Sequence, residues 1–363
     1  MDSTGPNAYG NVKQLYILKK QNRNLKTLLS IGGSSYSGTF SAAVSTAVTR
    51  ATFASTAVTL MKDWGFDGID IDWEYPSNDT DATNFVYLLQ AIRDTLDNYA
   101  QTYANGYHFH LTAATPAGLD HYNVLHLSDM SEYSDAFHLM GFAYAGSWSN
   151  LTGHQANLYP SISNNLSTPF NTDQAVNDYI FAGVPANLIA LGMPAYGRSF
   201  EQTSGLGEPF NGVGNGSYQA GVWDYKALPR TGATEYYDVE AGASYSYGAS
   251  SQELISYDSA QSVHDKSEYV MGMGLGGCWI WEISSDRAGD ESLFTTAATT
   301  LETLCQELNY LDYPDSKYIN IADGMVDNPP KRKRRVRSLT SLSRRYPIPP
   351  LGVLELVRRG QDR

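Results

Sequence analysis

Apolar and acidic residues alternate through Phe66-Asp67-Gly68-Ile69-Asp70-Ile71-Asp72-Trp73-Glu74-Tyr75-Pro76. A period of two places Ile69, Ile71 and Trp73 on one face of a strand and Asp70, Asp72 and Glu74 on the other. The pattern elsewhere predicts a helix over 9–23, a strand over 26–33 ending in Gly32-Gly33, and a helix over 50–64 with Phe53, Val58, Leu60, Met61 and Trp64 apolar. It places the acidic strand at 66–74, a helix near 81–99, strands near 108–115, 135–142, 188–194 and 277–282, and a last helix near 290–308. Strands alternating with helices mark a parallel α/β architecture. Between Phe200 and Lys266 the alternation stops, and a Gly-, Tyr- and Ser-rich segment containing Tyr236, Tyr237, Tyr245, Tyr247 and Tyr257 predicts short antiparallel strands.

Three carboxyls on one face change the picture from architecture to chemistry. Like charges at i, i+2 sit about 6.5–7 Å apart along a strand, and crowding raises the pKa of at least one, which keeps a general acid protonated near neutral pH. A solvated edge strand is disfavoured because Ile69, Ile71 and Trp73 need cover, and the acid-and-glycine spacing of a calcium loop is absent.

The run has the form D-x-x-D-x-D-x-E and resembles the signature of glycoside hydrolase family 18, the chitinases. Further segments carry the resemblance: Leu28-Leu29-Ser30-Ile31-Gly32-Gly33 is similar to the family's S-x-G-G strand, and Leu111-Thr112-Ala113-Ala114-Thr115-Pro116-Ala117-Gly118 to its fifth strand. Gly192-Met193-Pro194-Ala195-Tyr196-Gly197-Arg198-Ser199-Phe200 and Gly274-Leu275-Gly276-Gly277-Cys278-Trp279-Ile280-Trp281-Glu282 resemble the seventh and eighth. Order and spacing match from about residue 9 to about residue 322, most like secreted fungal endochitinases.

The resemblance implies an α/β fold, a (β/α)8 TIM barrel, here lacking its first two strands. Relative to the family the chain starts just before the helix that precedes the third strand, so six barrel strands remain. The expected organisation is a barrel from 1–200 and 267–322, a small α+β insertion domain at 201–266 forming one wall of the cleft, and a basic, disordered tail at 323–363. Closure removes the edges of an eight-stranded barrel. A truncated form or incomplete gene model is therefore expected to leave two parallel edges and an open interior, and to fold poorly alone.

Charge is uneven. Of the 363 residues, those from Lys331 onward hold 11 Lys or Arg and 2 Asp or Glu, leaving 14 basic and 36 acidic groups in 1–330. An acidic body argues against nucleic acid as the main ligand and suits a neutral polymer. The run Lys331-Arg332-Lys333-Arg334-Arg335 reads as a solvated extension rather than a polyanion patch. Cys278 and Cys305 permit one disulfide or two reduced thiols. The 7 His are scattered without zinc-ligand spacing, so neither metal nor cofactor is expected. No stretch approaches a membrane span, and the polar start at Met1-Asp2-Ser3-Thr4-Gly5-Pro6 lacks the apolar core of a secretory signal. Acceptor sequons begin at Asn78, Asn150, Asn165 and Asn215. By resemblance the expected setting is extracellular, the chain a monomer, and the partner chitin or chito-oligosaccharides, with no nucleic acid and no membrane.

Two carboxyls on one face of one strand cannot flank a sugar from both sides as a retaining pair about 5 Å apart does. The family is the substrate-assisted exception. The resemblance implies that Glu74 protonates the glycosidic oxygen, that the substrate's 2-acetamido carbonyl attacks the anomeric carbon, and that Asp72 orients the acetamido N–H, with Asp70 sharing a proton with Asp72. Trp281 would floor the cleaved subsite. Tyr75, Met140, Gly141, Phe142, Ala143, Met193, Tyr196 and Arg198 match cleft-lining positions.

Departures from the pattern keep more than one function open. Where the family reads M-x-Y-D, this chain reads Met140-Gly141-Phe142-Ala143, so the Tyr hydroxyl that would hold the acetamido oxygen and the adjoining carboxylate are missing. Losing one such donor costs on the order of 3 kcal/mol, about a hundredfold in rate. Ser34 stands where a cleft Trp is frequent and Trp279 where a Met is usual. The readings are an endo-acting chitinase with reduced or full activity, a chitin-binding, lectin-like remnant, and an endo-β-N-acetylglucosaminidase acting on N-glycans.

Overall fold

The structure, a computed structural model, describes residues 5–325 and the strand Leu354–Val357. Of the tail expected to be disordered, 326–353, with the basic run 331–335, and 358–363 lie outside the described residues, whereas Leu354–Val357 forms a strand. A helix at Gly10–Gln21 leads into strand β1 (Leu28–Gly32), the helix Ala47–Trp64 into β2 (Gly68–Asp72), and the helix Asp79–Tyr103 into β3 (His110–Pro116). Strands β4 (Ala136–Met140) and β5 (Ile189–Pro194) follow, separated by a helix at Thr172–Phe181 that the apolar pattern did not predict. Its start is set by the Asn171 side chain, which accepts from the Gln174 N–H. The helix Ala47–Trp64 begins with a reciprocal Thr46/Thr49 capping box and stops at Gly65, in the left-handed region at φ 71°.

From the end of β5 the chain turns at once into a second sheet, all antiparallel, of order β7-β6-β10-β9-β8: β6 (Tyr196–Phe200), β7 (Val222–Asp224), β8 (Thr234–Asp238), β9 (Ala243–Gly248) and β10 (Glu253–Tyr257). This sheet starts five residues before the expected insertion and ends at Tyr257. The helix Ala260–Gly272 comes next and packs against the helix Leu293–Leu301. Lys266 and Asp258, both fully buried, pair at 2.7 Å and tie that helix to the end of β10. The last helix is shorter than expected because Glu302, at φ 58°, leaves the helical region.

Strand β11 (Gly277–Trp281) returns to the first sheet, whose order is β1-β2-β3-β4-β5-β11-β12, with β1 to β5 and β11 all parallel. Six parallel strands, each with helical crossovers between neighbours, form an open, curled part of a β/α barrel. Strand β12 (Leu354–Val357) covers the outer edge of β11, running antiparallel with Gly277 opposite Val357 and Ile280 opposite Leu354. One of the two edges expected to be bare is therefore paired. Along β1, among the described residues, the other edge has no strand beyond it.

The outward face of the sheet packs under the helices. Ile69 and Ile71 are fully buried and Trp73 stacks on Phe40 with ring centroids 5.3 Å apart. The inward face lines a cavity of about 3470 Å³ that runs from the C-terminal ends of the strands, at Glu74 and Trp281, to the opposite mouth at Leu25, Leu188 and Leu304. A closed barrel fills this space with layers of side chains; here it is open throughout. Among the described residues no helix is long and apolar enough to cross a membrane.

Candidate active site

Strand register assembles the site. Ser30 of β1 lies opposite Asp70, and Asp70 lies opposite Thr112 of β3. Ser30 Oγ donates to Asp70 Oδ2 at 2.7 Å, Thr112 Oγ1 to Oδ1 at 2.7 Å, and His138 Nδ1 of β4 lies 3.0 Å from Oδ1. Burial pushes the Asp70 carboxyl up, but the His138, Ser30 and Thr112 contacts outweigh it and hold Asp70 below the ordinary carboxylate range.

Asp72 has the opposite surroundings. Its Oδ1 is buried with no hydrogen-bond partner among the described residues. Burial first, then the charges of Asp70 and Glu74, push its pKa up to about 8. The proton that was expected to be shared by Asp70 and Asp72 is thus localised: Asp70 is satisfied as an anion by three neighbours, and Asp72 keeps the proton at neutral pH. Room beside it comes from Gly32, at φ 128°, where a Cβ would fall 1.9 Å from the Asp72 carbonyl oxygen. Gly33 N–H donates to that same oxygen at 2.7 Å.

Glu74 follows at the strand's end, its N–H donating to Ser37 Oγ at 2.8 Å. Burial raises its pKa, moderated by hydrogen bonds from Tyr75 and the Ser34 backbone and by the charge of His121. Tyr75 in turn stacks on His121 with centroids 4.3 Å apart. The result is a carboxyl with raised proton affinity that lines the cleft.

The other wall comes from β4, β6 and β11. Tyr75, Met140, Phe142, Ala143, Tyr196, Arg198 and Trp281 all line the cavity with Asp70, Asp72 and Glu74. The Arg198 guanidinium sits 4.6 Å from the Trp148 ring centroid and 5.5 Å from that of Tyr196. Ala195 N–H donates to the Trp281 carbonyl at 2.7 Å, and Gln155 Nε2 to the Tyr196 carbonyl at 2.7 Å, which fixes where β6 leaves the barrel.

Two expected positions fall elsewhere. Met193 is fully buried in the core, because Ala190 and Gly192 take the inward positions of β5 and period two turns Met193 to the helices. Gly141 packs against the β5 backbone, where a Cβ would come 2.8 Å from the Gly192 carbonyl oxygen. Sequence reasoning in turn missed Ser30, Thr112, His121, His138 and Trp148 as site residues. Ser30 and Thr112 stood inside recognised motifs, and His138 two residues before Met140 shares its strand face; nothing local marked His121 or Trp148.

A row of crowded carboxyls at the C-terminal ends of parallel strands, opening into an aromatic-lined cleft, defines an α/β-barrel glycoside hydrolase. The chain belongs to the glycosyl hydrolases family 18, whose model matches residues 2–286. It is 55% identical over 324 residues to chitinase 1 of Aphanocladium album, covering 89% of this chain and 77% of that protein. It is 55% identical over 325 residues to endochitinase 1 of Metarhizium robertsii, covering 90% and 77%. Among solved structures, a chitinase from Bacillus thuringiensis superposes with a TM-score of 0.75 at 29% identity, covering 81% of this chain and 53% of that chain, about half its length.

Proposed function

We propose that this chain hydrolyses β-1,4-linked N-acetylglucosamine in chitin and chito-oligosaccharides, with Glu74 as general acid and the substrate's own acetamide as nucleophile. The observation that carries this reading is Asp72 Oδ1, a buried acceptor without a partner among the described residues, two residues before Glu74 on the same face. A buried polar atom left open in a cleft awaits a ligand donor, and the acetamido N–H supplies one.

In the proposed reaction Glu74 gives its proton to the glycosidic oxygen as the acetamido carbonyl oxygen bonds to the anomeric carbon and the leaving group departs. The oxazolinium ion so formed is opened by water, whose proton returns to Glu74, with β-configuration retained. Asp72 accepts the acetamido N–H and, as positive charge develops on the ring, passes its proton to the neighbouring Asp70 carboxylate and is left ionised; the proton returns to Asp72 when the oxazolinium ion is opened. Trp281 and Tyr75 offer aromatic faces to sugar rings, and the antiparallel sheet with segment 201–266 forms one wall. The enzyme works as a monomer outside the cell, where the polymer is.

Release of fluorophore from a chitotriose glycoside tests the reading. Glu74→Gln is expected to lower kcat by about a hundredfold to ten-thousandfold. Wild-type turnover equal to that of Glu74→Gln would overturn it, and retained chitin binding would then leave a lectin-like protein.

A further inference from the structure

Among the cleft's other buried polar atoms without a partner among the described residues are donors, of the opposite sense to Asp72 Oδ1. Trp279 is 2% exposed, lines the same cavity as Asp72, and its indole Nε1–H has no acceptor among the described residues. An indole N–H can only donate, and buried donors are rarely left unpaired.

Its position is held from three sides. The ring lies over Gly192, where a Cβ would fall 2.8 Å from Cε2 and 2.9 Å from Cζ2, so the absence of a side chain there makes the space that the indole fills. His138, which contacts Asp70, packs at 5.6 Å between ring centroids, and Phe142 packs edge-on at 5.4 Å. Trp279 therefore sits one side chain away from Asp70, across His138, in the cavity that Asp72 also lines, and next to Phe142, whose ring offers no donor.

An acetamido group carries one N–H donor and one carbonyl acceptor. Among the described residues the site offers Asp72 Oδ1 as an unmatched acceptor and two unmatched donors, Trp279 Nε1–H and Arg198 Nε–H; Trp279 packs on His138 and Phe142, whereas Arg198 packs on Trp148 and Tyr196. We infer that Trp279 is a further substrate-contacting catalytic residue, its indole N–H holding the acetamido carbonyl oxygen that attacks the anomeric carbon while Asp72 holds the N–H of the same group. The indole thereby takes over the donor's task at the place where Phe142 has none. This rests on the substrate-assisted reading above and adds which side chain aims the nucleophile.

The test uses the full chain in two arms. In the first, the indole N–H resonance of Trp279 is followed by ¹H–¹⁵N NMR in Glu74→Gln on addition of chitotriose, with the deacetylated glucosamine trimer as control. A downfield displacement with chitotriose and none with the control is expected. An unmoved indole signal, or an equal response to both sugars, overturns the inference. This arm needs no turnover, so it stands apart from failure of the hydrolysis itself.

In the second, Trp279→Phe keeps an aromatic ring and removes only the donor, and Phe142→Tyr in that background returns a hydroxyl. Trp279→Phe is expected to lower kcat about tenfold to a hundredfold with KM little changed, and the added Phe142→Tyr to recover at least half of that loss on a logarithmic scale. A purely packing role predicts a loss that Phe142→Tyr does not rescue, and that result overturns the inference. Should Trp279→Phe not fold, the first arm alone decides.

Discussion

The two ends of the acidic strand meet the same problem, a carboxyl inside the protein, and solve it in opposite ways. Just before the strand starts, Asp67 pairs with Lys19 at 2.8 Å, both fully buried. It also accepts from Thr27 N–H at 2.7 Å and Tyr310 N–H at 2.8 Å. Five residues on, Asp72 has neighbouring negative charges and an open Oδ1. Asp70 stands between them, held by neutral donors and a histidine. One motif in the sequence is therefore two devices: a clasp joining the helix Gly10–Gln21 and the 310 region to the sheet, and a row kept electrostatically unsettled for chemistry.

The contrast is broken most forcefully at the clasp. Asp67→Asn leaves Lys19 buried without a counter-ion, and breaking such a pair costs about 3–5 kcal/mol. Thermal unfolding should show a markedly lower Tm. Asp72→Asn, of the same shape, should leave Tm unchanged or raised while kcat falls by about a hundredfold to a thousandfold, as for loss of one preorganised electrostatic contact. Equal destabilisation by the two substitutions would erase the distinction between the ends.

The same pair sharpens the comparison through pH. The folded-state pKa of Asp72, about 8, lies above the ordinary 3.8, so between those values the folded state binds a proton that the unfolded state has lost. Stability contributed by this group is thus fully present below pH 4 and declines as pH rises toward 8, after which the decline ends. Asp72→Asn should remove that slope, making the variant more stable than wild type at pH 7 and indistinguishable from it near pH 4. Denaturant midpoints measured at pH 4, 6 and 8 read this directly; parallel curves for the two proteins would contradict it.

Much of this was legible in the residues. Period two on 66–74 placed Ile69, Ile71 and Trp73 under the helices and the carboxyls in the cleft, because burial on one face fixes register. The parallel order of six strands followed from motifs at their recognised spacing. What could not be read was the division of labour among the acids, since Lys19, Thr27 and Tyr310 reach Asp67 from positions up to 243 residues away in the chain. Met193 matched a motif but faces the core, and Trp279, a departure within a matched segment, faces the cleft. Inward and outward positions on β5 and β11 depend on neighbouring strands as well as on the strand itself. The helix Thr172–Phe181 escaped because its apolar positions Ala175, Val176 and Tyr179 are too few for a clear period.

The smallest expected effect lies at Asp70, and it tests whether the row acts as one titrating unit. Ser30→Ala removes one of three hydrogen-bonding neighbours from Asp70, a net change of about 0.5–1.5 kcal/mol, or at most about tenfold. With Oδ2 released, Asp70 stays ionised near pH 8 but its charge is less offset by donor dipoles, so it repels the Asp72 anion more and the Asp72 midpoint should rise above about 8. The alkaline limb of kcat/KM should follow it to higher pH by a fraction of a unit, with KM little altered. Thr112→Val, which removes the Oδ1 donor on the neighbouring strand, should move the limb the same way. If each variant lowers activity equally at every pH without moving the limb, Asp70 props the strand and does not tune its neighbour, and the boundary between clasp and chemistry belongs two residues further along, at Asp72.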